Sequence, residues 1–261
     1  MKKVIQIKNL TYNYNDQVVF DKLSLEVERS TFLNVIGSND TGKTTLSTIL
    51  LGLIKTDSEI KIDGTILNES NITKIREQIC YIPNNIKDSL IMDTVEEELY
   101  FNNNNKKEIQ RLIKEYNFES KLKEDPKTLS GGEQQIMYII SSLAKHPKII
   151  ICDEAFTMLD NLVKDKILKT LKKLSKEQQI TIINFTNDSE DLMYGDEIAI
   201  IHDHKILIHD KKELILKNEE LFNKLNIKLP FMIELSNKLK FYNLLDNTRI
   251  DMDRMINKIW K

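Results

Sequence analysis

Thr31-Phe32-Leu33-Asn34-Val35-Ile36 runs into Gly37-Ser38-Asn39-Asp40-Thr41-Gly42-Lys43-Thr44 and then into Thr45-Leu46-Ser47-Thr48-Ile49-Leu50. The central eight residues match the phosphate-binding loop G-x-x-x-x-G-K-[ST] in full. The apolar run before them predicts a buried strand over 31–36, and the residues after them predict a helix over 43–51. That strand–loop–helix context is what such a loop needs to work. Successive N–H groups of Ser38, Asn39, Asp40, Thr41 and Gly42, with the helix start at Lys43, Thr44 and Thr45, suit the β- and γ-phosphates of a nucleotide. Lys43 adds a point charge there, and the Thr44 hydroxyl is of the type that ligates magnesium. The chain has only seven glycines, and four of them (Gly37, Gly42, Gly131, Gly132) lie in this loop or in one other segment. Glycine kept where backbone approaches phosphate is what the chemistry predicts.

Outward from the loop, residues 4–10 and 18–27 alternate like strands with one covered face. Residues 61–67 read as a short hairpin around Asp63-Gly64, and 79–82 as an apolar strand ending at Pro83. From 94 to about 123 the pattern turns helical, broken by a loop at 102–105. A helix from Ser130 to about His146 stops at Pro147, and strand 149–153, helix 162–174 and strand 181–186 follow. That alternation predicts a parallel sheet. Residues 197–201 and 205–209 read as a hairpin across His202-Asp203-His204, and the chain beyond 211 is mainly helical, with Pro230 as a break.

Two further segments carry chemistry. Strand 149–153 ends in Asp153-Glu154, carboxylates placed at the carboxyl edge of a parallel sheet, beside the phosphates. Asp153 suits Mg²⁺, directly or through water, and Glu154 suits a general base that polarises an attacking water. Leu129-Ser130-Gly131-Gly132-Glu133 opens a helix whose hydroxyl, amides and positive dipole end suit an anion. Ser130 and Glu133 also have the spacing of an ordinary capping box.

The order phosphate loop, Leu-Ser-Gly-Gly, apolar strand with Asp-Glu resembles the ATPase subunits of ABC transporters. The resemblance spans roughly residues 4–210 and implies an α/β P-loop NTPase fold of the ABC type. It implies antiparallel β and helical subdomains, with residues 1–210 as the ATPase domain, about 94–146 as the helical signature subdomain, and 211–261 as a helical C-terminal extension. It further implies a head-to-tail dimer in which Ser130, Gly131, Gly132 and Glu133 close on nucleotide held by the other subunit. Tyr14 matches the aromatic that stacks on adenine, with Tyr12 as the competing candidate. Thr157-Met158-Leu159-Asp160 resembles the D-loop, where Asp160 would contact the partner.

Within that family the chain is most similar to ATPase subunits of energy-coupling factor (ECF) importers of vitamins and metals. Residues 79–95, ending in Thr94-Val95-Glu96-Glu97, follow their Q-loop segment without a gap, and Ala155-Phe156-Thr157-Met158-Leu159-Asp160 follows their A-T-S-M-L-D pattern. Leu229-Pro230-Phe231 with Glu234-Leu235 resembles their C-terminal extension, and residues 71–78 favour the first of the two ATPases that such transporters pair. The implied partners are a second ABC ATPase, a transmembrane coupling subunit meeting the surface around 84–94, and substrate-binding membrane proteins. The implied cofactors are ATP and Mg²⁺, and the implied place is the cytoplasmic side of the cell membrane, peripherally bound.

Three positions depart from the family pattern. Asn84 stands at the Q-loop glutamine, a magnesium-reaching position, and keeps the amide with one methylene less of reach. Asn187 stands at the switch histidine; its amide donates a hydrogen bond but takes up no proton near neutral pH. Ile136 replaces the arginine after Gln135. Slow hydrolysis at the chain's own site is the expected consequence, with a subunit that lends its signature to an active partner as the alternative. An ATPase of another ABC transporter is a further one.

Composition limits the rest. Lys+Arg 38 against Asp+Glu 40 gives no basic field for nucleic acid. No run of eighteen apolar residues predicts a membrane span, and the first residues carry no signal-peptide core. Cys80 and Cys152 sit in apolar runs and read as buried free thiols suited to a reducing cytoplasm. The histidines His146, His202, His204 and His209 read as solvated or structural rather than metal ligands, and the basic run 169–176 as the wet face of a helix. Residues 250–260 form an amphipathic stretch that suits a packed protein interface better than a membrane.

Overall fold

The computed structural model describes residues 2–101, 103 and 105–245. The amphipathic stretch 250–260 lies outside them. The elements run β1 (Lys3–Tyr14), β2 (Gln17–Glu28), β3 (Phe32–Ile36), α1 (Lys43–Leu50), β4 (Ile60–Ile62), β5 (Thr65–Ile66), α2 (Ile72–Arg76) and β6 (Ile79–Ile82). They continue with α3 (Val95–Tyr100), α4 (Lys106–Glu115), α5 (Gly131–Leu143), β7 (Ile149–Asp153), α6 (Asn161–Glu177) and β8 (Thr181–Thr186). The described chain closes with β9 (Glu197–His202), β10 (Lys205–Lys211), α7 (Lys212–Ile215), α8 (Glu219–Lys224) and α9 (Phe231–Phe241).

Two sheets result. A four-stranded antiparallel sheet has the order β2-β1-β4-β5, and a six-stranded sheet has the order β10-β9-β3-β8-β7-β6. In the larger sheet β9, β3, β8, β7 and β6 are parallel, and only β10 pairs antiparallel, through the hairpin at 202–205. The parallel strands are apolar almost throughout because both faces are covered. In β7, Ile149 and Ile151 face α1 and the antiparallel sheet, while Ile150 and Cys152 face α5 and α6. In β9, Ala199 and Ile201 take the first face, and Ile198 and Ile200 pack with the C-terminal helices. A period of two divides each strand between two cores.

Parallel register aligns the site. Ile36 stands opposite Thr186, Phe185 opposite Asp153, and Cys152 opposite Ile82. The carboxyl ends of β3, β8, β7 and β6 therefore form one row, and the segments that follow them share one edge of the sheet.

Three findings go beyond the sequence expectation. α2 forms where no element was expected: five residues are too few to show a helical period, yet Ile75 is buried and Arg76 donates to the carbonyls of Leu51 and Gly52 at 2.8 and 3.1 Å. The basic run 169–176 is only partly a wet face. Lys172 and Lys176 both pair with Asp196, which also accepts from the Phe32 N–H at 3.0 Å. The helices beyond 211 do not stand apart from the sheet. Ile215, Leu216, Phe222 and Ile233 are buried with Ile36, Ile198 and Ile200. Residue 36 is the last before the glycine loop, so the C-terminal segment supports the loop directly. Among the described residues, no helix is long and apolar enough to cross a membrane.

Candidate functional site

Buried strand β3 delivers the glycine loop, and two glycines are required by space. A Cβ on Gly37 would stand 2.9 Å from the Ile201 carbonyl, and one on Gly42 2.8 Å from Phe20 and Val19. Gly42 also has φ 91, in the left-handed region, where a side chain is strained. Thr41 Oγ1 donates to the Ser38 carbonyl at 2.9 Å and closes the loop. α1 then begins at Lys43 with no side-chain cap, so its first N–H groups are directed at the loop's interior. Thr45 lies in that first turn, and its carbonyl accepts from Thr48 Oγ1. Lys43 is 4% exposed; its Nζ donates to the carbonyls of Gly37 and Ser38, both at 2.9 Å, and lies 3.2 Å from Glu154 Oε1. The ammonium is thus fixed across the loop mouth.

Asp153 is 3% exposed and fully engaged. Oδ1 accepts from Thr44 Oγ1 at 3.2 Å, and Oδ2 accepts from Ser47 Oγ at 2.8 Å and Tyr81 Oη at 3.0 Å. Burial and the adjacent Asp153 charge push the Tyr81 phenol well above its ordinary range, so it stays a donor. Ser47 and Tyr81 are site residues that sequence reasoning missed. Thr44 and Ser47 share a helix face by their i, i+3 spacing, which was a usable signal. Tyr81 gave none, because its partner is set by the pairing of β6 with β7.

Glu154 follows with φ 49, a left-handed value uncommon outside glycine, and its N–H donates to the Phe185 carbonyl at 2.9 Å. Such backbone strain concentrates at functional sites. The donor set around Thr44 and Asp153 is all oxygen, with one carboxylate and one hydroxyl. That set fits Mg²⁺, which binds through one or two carboxylates and completes its shell with water and substrate phosphate. Among the described residues, no group of three or more His, Cys, Asp or Glu forms a protein-only metal cage. The histidines are dispersed: His146 meets Asn105, His204 the Val19 carbonyl, and His209 Glu197.

Asn187 follows β8 and Asn84 follows β6, on either side of the β7 end that carries Asp153 and Glu154, and both are exposed. Asn187 Nδ2 is 3.5 Å from Asn39 Oδ1, and Thr157 Oγ1 is 3.5 Å from Asn84 Oδ1. Both separations are at the outer limit of a hydrogen bond. Asn187, Ser38, Asn39, Thr157 and Lys228 line a cavity of about 560 Å³.

Ser130 caps α5 in the expected capping box. Its N–H and hydroxyl donate to Glu133 Oε2 at 2.8 and 2.7 Å, and the Glu133 N–H returns to Ser130 Oγ at 3.4 Å. Lys121, 2.9 Å from Glu133 Oε1, together with these Ser130 donors holds the Glu133 carboxyl below its ordinary range. Gly132 is a packing requirement, since a Cβ there would lie 2.3 Å from Val163. α5 and the start of α6 thereby meet at their N-termini. Asp160 caps α6 locally, accepting from the N–H groups of Leu162 and Val163. On either side of it Met158 and Leu162 are 88% and 78% exposed. Tyr12 packs on the core, whereas Tyr14 is 48% exposed and meets Tyr12 edge-to-face at 5.0 Å. Ile136 sits half-buried against the core that α5 shares with α6 and the large sheet. A groove of about 920 Å³ opens between α2, β6 and α5, with Ile91, Glu98, Phe101 and Tyr138 on its walls.

Comparison with known proteins accords with this geometry. The ABC transporter family model matches residues 20–157. The energy-coupling factor transporter ATP-binding protein EcfA1 of Oenococcus oeni is 31% identical over 99% of this chain and 98% of its own length. EcfA1 of Mycoplasmopsis pulmonis is 34% identical over 91% of this chain and 94% of its own. The fold is shared with CbiO1 of Clostridium perfringens, part of the ABC transporter complex CbiONQ, at TM-score 0.78 and 24% identity, over 91% of this chain and 100% of that one. It is also shared with a dimeric ATP-binding cassette in a post-hydrolysis state with ADP and Pi, at TM-score 0.69 and 27% identity, over 80% of this chain and 98% of that one. A phosphate loop, an Asp-Glu strand end and a capped signature helix on this scaffold leave one assignment: the chain belongs to the ABC transporter family as an ATP-binding, ATP-hydrolysing subunit, related along its length to ECF transporter ATPases.

Proposed function

We propose that this chain is an ATPase subunit of an ECF-type importer, held on the cytoplasmic side of the cell membrane, that powers uptake of vitamins or metal ions. Its partners are a second ABC ATPase, a transmembrane coupling subunit and substrate-binding membrane proteins. The observation that carries the reading is the convergence of Lys43, Thr44, Asp153 and Glu154 at one sheet edge, beside a separate signature helix. The coupling subunit docks in the groove beside the Q-loop segment, where Ile91 is 65% exposed.

In this reading the loop residues Gly37 to Thr45 bind the phosphates, Lys43 exchanges its loop carbonyls for phosphate oxygens, and Tyr14 stacks on adenine. Thr44 and Asp153, with Asn84 at longer reach, hold Mg²⁺, which neutralises charge on the phosphates when bound. Glu154, released from Lys43, orients and polarises the attacking water. Asn187 donates its amide toward the γ-phosphate. Ser130, Gly131 and Gly132 act in the partner's site, with Glu133 as cap, and Asp160 and Met158 meet the partner beside it. Closure on ATP and reopening after hydrolysis move the membrane subunit.

The replaced amides at 84 and 187 favour a second element of the reading: the chain's own site turns over slowly, and its signature serves a faster partner site. Tagged chain purified from its host's membranes is expected to bring down a second ABC ATPase and a multi-span membrane protein. ATP turnover that persists largely intact in that complex after Glu154→Gln assigns most of the activity to the partner's site. A chain that purifies alone contradicts the transporter reading.

A further inference from the structure

Lys164 lies in the first turn of α6, four residues beyond Asp160, and is 7% exposed. Its Nζ donates to Asp188 Oδ2 at 2.7 Å and stands 2.5 Å from Asp191 Oδ1. Asp191 is itself 2% exposed. Its Oδ2 accepts from Thr186 Oγ1 at 2.7 Å and Asn184 Nδ2 at 3.3 Å, and its carbonyl accepts from Asn34 Nδ2 at 3.2 Å. Asp188 Oδ1 accepts from the Glu190 N–H at 3.0 Å, and Tyr194 Oη donates to Asp165 Oδ1 at 2.7 Å. Neighbouring residues of α6 therefore grip both ends of the turn that follows β8.

Asn187 stands between Thr186 and Asp188, and each of those is bonded into this cluster while the Asn187 side chain remains exposed. A buried lysine is costly to fold unless it is paired. Burial pulls the Lys164 ammonium downward, but the Asp191 and Asp188 carboxylates hold it above its ordinary value, so it stays charged. Apolar side chains could fill the same space with no charge to desolvate. What the ion cluster supplies in their place is a fixed distance between α6 and the residues on either side of Asn187.

We propose that Lys164 is a positioning residue for ATP hydrolysis: it ties the start of α6 to both flanks of Asn187 and so sets where the Asn187 amide stands over Asn39 and the phosphate loop. The inference rests on the proposed role of Asn187 toward the γ-phosphate.

The test uses the full chain in its assembled transporter, with the partner's own site silenced, and reads kcat and KM for ATP. Asp188→Asn retains an acceptor for the Glu190 N–H but weakens the pair with Lys164, and it lies on a half-exposed side chain, so the fold survives. It is expected to lower kcat about fivefold with KM within about twofold, the pattern of an interaction made only in the transition state. In an Asn187→Ala background the same change is expected to add less than about twofold, because neighbours acting as a unit are non-additive. Lys164→Arg, which keeps the charge, is expected to retain more of kcat than Lys164→Met combined with Asp191→Asn, which removes the two buried charges together and leaves the half-exposed Asp188 untied. Loss of kcat in Asn187→Ala with none in Asp188→Asn overturns the inference and leaves the reading of Asn187 standing. Equal losses from Asp188→Asn in both backgrounds also overturn it. Unchanged turnover in Asn187→Ala removes the reading of Asn187 and the inference together.

Discussion

Lys43, Thr44 and Asp153 form an inner wall held by hydrogen bonds of 2.8 to 3.2 Å, whereas Asn84 and Asn187, exposed on the loops after β6 and β8, make up an outer wall in which each has one contact of 3.5 Å. The first wall is built into the sheet: Asp153 is buried and receives three hydroxyls, each such bond to a charged group contributing about 1.5–3 kcal/mol. The second wall is exposed side chain on loops. In the proposed reading nucleotide binding draws on the first wall and γ-phosphate positioning on the second, so the two functions of the site are unequally supported. The difference teaches that affinity and turnover can separate in this subunit.

Lys43→Ala strikes the stronger wall and has the largest expected effect. It removes the charge held across the loop and is expected to weaken ATP binding about 100-fold, within the range for a lost charge-assisted bond; isothermal titration with ATP measures it. Binding reduced less than about threefold would show that the loop amides alone hold the phosphates. Tyr14→Ala is expected to weaken ATP binding by about 10-fold, from the loss of one base–aromatic stack. Tyr12→Ala is expected to lower Tm and leave affinity nearly unchanged, because Tyr12 packs on the core. The reverse pattern would exchange their roles. Asn84→Gln restores one methylene of reach on the weaker wall and, measured as ATP turnover with the partner's own site silenced, is expected to raise kcat about twofold to threefold, a fraction of a hydrogen bond's contribution.

Cys80 supplies the smallest effect. Burial pushes its thiol from 9.0 up to about 11, against the Ser142 hydrogen bond. The folded chain therefore holds its proton more tightly than the unfolded chain. The stability this contributes is present below pH 9 and declines as pH rises from about 9 toward 11. Alkylation at pH 8 is expected to be at least about 100-fold slower in the folded chain than in denaturant, since thiolate is the reacting species. Equal rates would mean that Cys80 is open to solvent.

The strong wall was also the more legible one. Continuous apolar runs at 31–36, 149–153 and 181–186 announced parallel strands, and two glycine segments and a strand ending in Asp-Glu marked the phosphate side. Strand identity put Lys43, Thr44, Asp153 and Glu154 at one sheet edge because their positions follow from chain order and register. Tyr81 and Lys164 were invisible for the converse reason: each acquires its role from a partner 72 or 24 residues away, through packing that no local period encodes, whereas Ser47 carried a helix-face signal that went unread. α2 was too short to announce itself. The sequence separated the segment beyond 211 from the core, but its apolar residues close over Ile36 and Ile200.

The most direct test of the unequal walls is the ATP turnover of Asn187→His in the assembled transporter with the partner's own site silenced. Imidazole in place of the short amide restores a longer donor that can also carry a proton, and kcat is expected to rise about tenfold, or about 1.4 kcal/mol of barrier, with KM unchanged. An unchanged or lower kcat, with ATP still bound at the original affinity, would contradict the account by showing that Asn187 does not limit this site.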